Sequence, residues 1–393
     1  MIRSVSRRGL LAGLTGAFTL GRSSLAFATA ATDRRFVAIT LRGGLDGMAL
    51  VVPYGDRNLS DLRATLVPPP PGAPNGMLDL DGFFALHPAM IGLHALYRAR
   101  EAAIVHAVAG PYRNRSHFDA QDFLESGADR RLGSGWLNRL AGLLPKRGES
   151  DAAVAVGASV PLLLRGPTPV NNWAPPVWPE PSLDFVTRLV AMHRGDPVTG
   201  PAFAAGLRDR GFTAAVLNGV EPPPNAGAFV RLADRAGRLL AAHDGPRLAT
   251  LDSEGWDTHG GQVARLSFGL RTLDDGLAAL KTALGPIWAK TVVLVMSEFG
   301  RTARVNGAGG TDHGTGGIAL LLGGAVAGGR IIGDWPGLAP GQLFEDRDLR
   351  GVTDLRSVAK GIAAAHYNLD QADRALIFPD SGSAGPLTGI LRA

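Results

Sequence analysis

The sequence predicts an α/β protein built on a mostly parallel sheet covered on both faces. Three observations lead there. Short apolar runs rich in β-branched residues recur along the chain and stop at glycine. A long amphipathic stretch, 262–284, joins two of these runs. Polar clusters follow the runs directly, as expected where ligands bind at the carboxyl ends of parallel strands.

The elements follow in order. Phe36-Val37-Ala38-Ile39-Thr40-Leu41 reads as a buried strand ended by Gly43-Gly44. Residues 53–87, with Pro68 to Pro71, read as a long surface excursion. Residues 87–100 have helical spacing, and Ala103-Ile104-Val105-His106-Ala107-Val108 is the second strand. A helix starts at Ser116, and a short strand spans 153–158. The seven prolines between Pro161 and Pro181 exclude a central strand or helix interior, so 159–245 opens as an irregular loop and continues as a helical insertion, a candidate lid. Residues 247–252 return to strand. Leu266, Leu270, Leu273, Leu277, Leu280 and Leu284 then recur at three- and four-residue spacing, which gives the clearest helix. Thr291 to Met296 and Ile318 to Leu322 are strands, and Asp354 caps a last helix to about His366.

Composition narrows the function. Cys is absent, so thiolate catalysis and cysteine metal sites are excluded. Ser6-Arg7-Arg8-Gly9-Leu10-Leu11, an apolar stretch to Leu20 and Ala26-Phe27-Ala28 form a secretory signal over 1–30, with paired arginines of the twin-arginine type. The apolar stretch is shorter than the roughly 20 residues a bilayer requires. The expectation is export to the periplasm or beyond, with no transmembrane span in the mature chain 31–393. Removing 1–30 takes away Arg3, Arg7, Arg8 and Arg22 and lowers the formal charge from +5 to +1. Nothing in that balance suggests nucleic acid as a partner.

Four segments carry the candidate chemistry: Asp46 in its glycine turn, Asp257 with His259, Glu298, and Asp312 with His313. Carboxylates and neutral imidazoles are the usual ligands of a divalent cation. Asp46 and Glu298 also have a plain reading. Asp46 can bond its own turn. Glu298, at the mouth of a buried strand, needs a metal, or else an ion pair with Arg301 or Arg304. Asp312-His313 lies in a glycine-rich run whose ordering a ligand would help offset. Ser116 with Asp119 fits a helix cap. The same geometry also admits an activated nucleophile at a helix start, the less favoured reading, with Arg113 and Arg115 to hold an anion and His117 as an alternative ligand. His87, His94, His106, His193, His243 and His366 stand outside the four acid-bearing segments and read as structural. No nucleophile elbow, P-loop or dinucleotide fingerprint occurs, and Ser357-Val358-Ala359-Lys360 lies mid-helix without companion motifs.

Leu41-Arg42-Gly43-Gly44-Leu45-Asp46-Gly47, Arg115-Ser116-His117-Phe118-Asp119-Ala120-Gln121, Trp256-Asp257-Thr258-His259, Ser297-Glu298-Phe299-Gly300-Arg301-Thr302 and Thr311-Asp312-His313-Gly314 together resemble the exported bacterial family known as domain of unknown function 1501. That family is similar to a distant branch of the alkaline phosphatase and sulfatase superfamily. The resemblance implies a doubly wound core with one or two zinc, manganese, calcium or magnesium ions at the strand ends. It implies Asp46, Asp257, His259, Glu298, Asp312 and His313 as ligands, Ser116 as nucleophile and Arg115 as anion holder. Two departures point to one altered or lost metal site: the residue after Glu298 is Phe299 where the superfamily has a histidine, and Asp257 and His259 stand closer than usual. The expected function is an exported metal-dependent hydrolase of phosphate or sulfate esters. The alternative is a non-catalytic envelope protein of the same fold that binds a glycan or a partner protein.

Overall fold

The structure is a computed structural model that describes residues 33–145, 152–175, 181–217, 219 and 226–392. The expected signal, residues 1–30, lies outside the described residues.

Among the described residues, nine strands form the main sheet: β1 (Arg35–Leu41), β2 (Ala102–Ala109), β3 (Ala153–Val156), β4 (Asn171–Trp173), β5 (Leu248–Ser253), β6 (Thr291–Met296), β7 (Gly317–Leu322), β8 (Arg330–Ile332) and β9 (Thr353–Asp354). Their order is β8-β2-β7-β6-β1-β5-β3-β4, with β9 pairing β2. Every neighbouring pair is parallel except those made by β7, which runs against β2 and β6. The mostly parallel sheet is therefore as expected.

The strands are apolar on both sides because both sides are covered. Val37, Ile39, Val293 and Val295 belong to one buried cluster, and Phe36, Ala38, Val292 and Leu294 to another. Alternate side chains of a strand point to opposite faces. Helices α1 (Ile91–Arg98), α6 (Ala228–Ala241) and α7 (Gln262–Leu284) cover the first face. Helices α2 (His117–Ser126), α3 (Trp136–Leu143), α8 (Leu355–Tyr367) and α9 (Gln371–Ile377) contribute residues to the second. All six leucines of the predicted α7 stripe are buried. The Asp354 side chain caps α8 by accepting from Arg356 N–H.

Two segments differ from the expectation. Residues 53–87 are no loose excursion: Val51–Val52, Leu78–Asp79 and Ala85–Leu86 form a small antiparallel sheet. Val52, Leu59, Met77 and Ala85 pack with Leu338 and Leu349 in a third cluster, and these scattered apolar residues anchor the prolines between them. In the proline-rich stretch, Asn171–Trp173 does enter the sheet, but only at its edge, where missing N–H donors are tolerated. Of the helical insertion, α4 (Leu183–His193) and α5 (Thr199–Leu217) bury no residue fully. Helix α6 buries Phe229, Ala233, Ala236 and Leu240 and belongs to the covering layer. Among the described residues, no helix is long and apolar enough to cross a membrane.

Candidate metal centre

Loops after β1, β2, β5 and β6 leave the same edge of the sheet. Strand β7 is antiparallel, so the loop before it reaches that edge too. Backbone hydrogen bonds lace these loops together: Arg42 N–H donates to Ser253, Trp256 N–H to Arg42, Thr311 N–H to Thr258, and Gly300 N–H to Thr315. Two glycines allow the close approach. Gly43 has φ +120°, and a Cβ there would lie 2.5 Å from the Asp257 nitrogen. A Cβ on Gly300 would lie 1.9 Å from the Gly316 oxygen.

Four side chains from two of these loops and the start of α2 meet at one point. His313 Nε2 lies 2.9 Å from His117 Nε2 and 2.9 Å from His259 Nε2. Asp257 Oδ1 lies 3.1 Å from His259 Nε2, 3.3 Å from His313 Nε2 and 3.6 Å from His117 Nε2. His313 and Asp257 are thus common to two triplets, one completed by His117 and one by His259. His117, Asp257 and His313 make a group able to hold a metal ion.

The other ring nitrogens explain the convergence. His117 Nδ1 lies 2.8 Å from Glu298 Oε1, His259 Nδ1 lies 3.1 Å from Asp312 Oδ1, and His313 Nδ1 lies 2.9 Å from the Arg115 carbonyl. All three partners are acceptors, so each Nδ1 carries the proton. In the neutral ring each Nε2 then presents a lone pair, and lone pairs facing one another and a carboxylate have no proton to share. A cation resolves that conflict. A tetrahedral ion with ligands at about 2.0–2.1 Å has edges of about 3.3–3.4 Å, and the separations of both triplets, 2.9–3.6 Å, bracket that value. Imidazoles oriented through Nδ1–H by carboxylate or carbonyl are the usual outer arrangement of a histidine metal site. The donor set therefore fits a divalent ion.

Fixed charges tune the centre. Burial would raise the Asp257 carboxyl, but Arg301, at 2.5 Å, outweighs it and holds the group below the usual range. The Arg301 guanidinium is itself buried and also donates to the carbonyls of Gly43, Gly44, Trp256 and Thr311. Burial likewise pushes Glu298 up, and hydrogen bonds from His117, Gln121 and Gly43 N–H bring it below its ordinary value. The hydrogen bond to Glu298 raises His117, while burial and the neighbouring His117 lower His313. Phe299 occupies the place where the resemblance leads one to expect a histidine. Its ring packs 4.8 Å from His117 and 5.1 Å from His313, centre to centre.

The residues singled out from sequence divide into three groups. Asp257, His259 and His313 come together. Glu298 and Asp312 stand one layer out, where they orient His117 and His259. Asp46 does not join: its buried carboxylate takes two hydrogen bonds from Arg63 Nη1 (2.9 and 3.1 Å), one from Gln262 Nε2 (2.6 Å) and one from Ala49 N–H (3.1 Å). The turn reading of Asp46 is thus part of its role, and Arg63 is the rest. Ser116 precedes α2, yet its side chain makes no capping bond and Asp119 accepts from Tyr112 instead. The Arg115 guanidinium is taken by Asp348 (2.8 Å) and Glu345 (2.5 Å). Its contribution to the cluster is its carbonyl, presented at φ +62°, a strained backbone for arginine. Arg301 pairs with Asp257 and not with Glu298, and Arg304 donates to the Asp61 carbonyl. His117 was visible from sequence only as an alternative ligand. Arg301 and Gln121 gave no signal in the site roles they occupy.

No curated protein matches the chain in sequence. Solved structures are similar at low identity. The lipoteichoic acid synthase LtaP from Listeria monocytogenes is 10% identical, with 89% of this chain and 76% of that chain covered and a TM-score of 0.40. The phosphonate monoester hydrolase of Agrobacterium radiobacter is 13% identical, with 85% and 73% covered and a TM-score of 0.33. The C-terminal periplasmic domain of EptC from Escherichia coli, in complex with zinc, is 10% identical, with 74% and 72% covered and a TM-score of 0.33. A family model described as "Protein of unknown function (DUF1501)" matches residues 103–377, and the chain belongs to that family.

Proposed function

We propose that the protein is an exported, metal-dependent hydrolase of phosphate or sulfate esters. The observation that carries the reading is the meeting of three imidazole Nε2 atoms and Asp257 Oδ1, each ring fixed by an acceptor at Nδ1. On this reading His117, His259, His313 and Asp257 hold one divalent ion. When bound it would supply Lewis-acid stabilisation of the charge that develops on the ester oxygens. Glu298, Asp312 and the Arg115 carbonyl keep the imidazoles in the ligating tautomer. Arg301 balances the Asp257 charge. Ser116, next to His117 at the start of α2, is the hydroxyl we assign as nucleophile. The twin-arginine pattern within 1–30 is the basis for placing the mature chain in the periplasm or outside the cell.

A second reading rests on two observations. Arg115 is already neutralised by Glu345 and Asp348, and Phe299 stands in place of a histidine. Both suit a non-catalytic envelope protein that keeps one ion and binds a glycan or a partner protein. The separating experiment uses mature protein isolated without chelators, with metal measured by elemental mass spectrometry and turnover followed on p-nitrophenyl phosphate and sulfate. The hydrolase reading expects about one equivalent of metal and a turnover that Ser116→Ala removes without removing metal. Bound metal with no turnover favours the binder. No bound metal, even after zinc, manganese, calcium or magnesium is added back, sinks the metal site itself.

A further inference from the structure

Helix α2 carries His117, Gln121 and Glu125 at four-residue spacing, so they lie along one face. Each makes one link of a chain leading away from the metal centre. His117 Nδ1 meets Glu298 Oε1 at 2.8 Å. Gln121 Nε2 donates to the same oxygen at 3.1 Å, and Gly43 N–H donates to it at 2.8 Å. Gln121 Oε1 accepts from Arg42 Nη1 at 3.0 Å. Arg42 is gripped by Glu125 at 2.8 Å and by Asp252, at the end of β5, at 2.9 Å.

A guanidinium can only donate, so the Gln121 amide can sit one way round: oxygen to Arg42, NH₂ to Glu298. The Glu298 side chain is 0% exposed, so no bulk water replaces a donor that is removed. We propose that Gln121 is a positioning residue: oriented by Arg42, it pins Glu298 so that His117 keeps its proton on Nδ1 and its Nε2 lone pair on the metal centre. The metal part of this inference rests on the function proposed above. The tautomer part does not.

The test is Gln121→Met in the full mature chain, which keeps side-chain length and removes both hydrogen bonds. Two quantities are read. The first is zinc affinity by competition with a chromophoric chelator, and the second is the His117 tautomer by long-range ¹H–¹⁵N correlation spectra of the zinc-free protein. The expected result is zinc binding weakened by about 10- to 100-fold, the usual cost of an outer-layer partner, with the His117 signal moving away from pure Nδ1–H. If Q121M unfolds, Gln121→Asn shortens the amide by one methylene and is read the same way. Wild type without zinc affinity, but with a His117 tautomer that shifts in Q121M, would sink the metal reading and uphold the positioning role. Unchanged zinc affinity together with an unchanged tautomer would overturn the proposal.

Discussion

Asp46→Asn separates a metal ligand from a structural carboxylate. In the structure Asp46 is fully buried and pairs with Arg63, whose side chain is 1% exposed. Asparagine keeps one acceptor oxygen but sets an NH₂ among groups that all donate: Arg63 Nη1, Gln262 Nε2 and Ala49 N–H. The guanidinium is left buried and uncompensated, a loss of about 3–5 kcal/mol. An unfolding entropy of about 2.1 cal/mol/K per residue gives about 0.8 kcal/mol/K for 393 residues, so the expected fall in Tm is about 5 °C. Differential scanning calorimetry of wild type and D46N measures it, and elemental analysis of the same samples counts zinc. The expected outcome is a less stable protein with the wild-type zinc content. A D46N protein of wild-type Tm that has lost its zinc would refute this account and restore Asp46 as a ligand.

Three further outcomes follow from the geometry. His313→Ala removes the nitrogen common to both triplets, and should abolish zinc retention through dialysis while circular dichroism stays unchanged. Gly43→Ala places a Cβ 2.5 Å from the Asp257 nitrogen at φ +120°, and should cost more than about 1 kcal/mol by urea denaturation. Burial lowers His106 and His366 to about 4, whereas in the unfolded chain they titrate near the ordinary 6.5. Between those values the unfolded state binds more protons, so stability is fully present above pH 6.5 and falls as pH drops toward 4. The loss is about 3 kcal/mol for each histidine, read as a urea midpoint that declines across that window, and a flat midpoint would contradict it.

The strands were legible because burial on both faces leaves an unbroken apolar run, and α7 because a single period of leucines spans its full length. Their ends were legible as a candidate site because acids and histidines follow the strands at once. The partners of those acids were not. Arg63 lies 17 residues beyond Asp46 in a stretch with no period, and the fold of that stretch against the 302–305 loop brings it back. The Glu298–His117 pair spans 181 residues. Arg301 offered a local partner for Glu298, but the turn at Gly300 sends it across to Asp257 instead. His117 read as part of a helix start because Ser116 and Asp119 fit a capping pattern, which in the structure is not formed. Sequence marks which side chains need a partner, and the chain path decides which one they get.

The reversed direction of β7 also bears on the order in which the centre is assembled. Because β6 and β7 are antiparallel neighbours, Glu298 and His313 sit on the two limbs of one local connection that closes at small entropic cost. Asp257 must come from β5, two strands away, and His117 from beyond β2 on the far side of β7. Low-separation contacts form early in folding and distant pairings late. A chain that has made only the β6–β7 unit holds one imidazole of the three. A cation bound by the full set would therefore stabilise the finished fold and no earlier species, so loading would act as a thermodynamic latch on the last strands to pair.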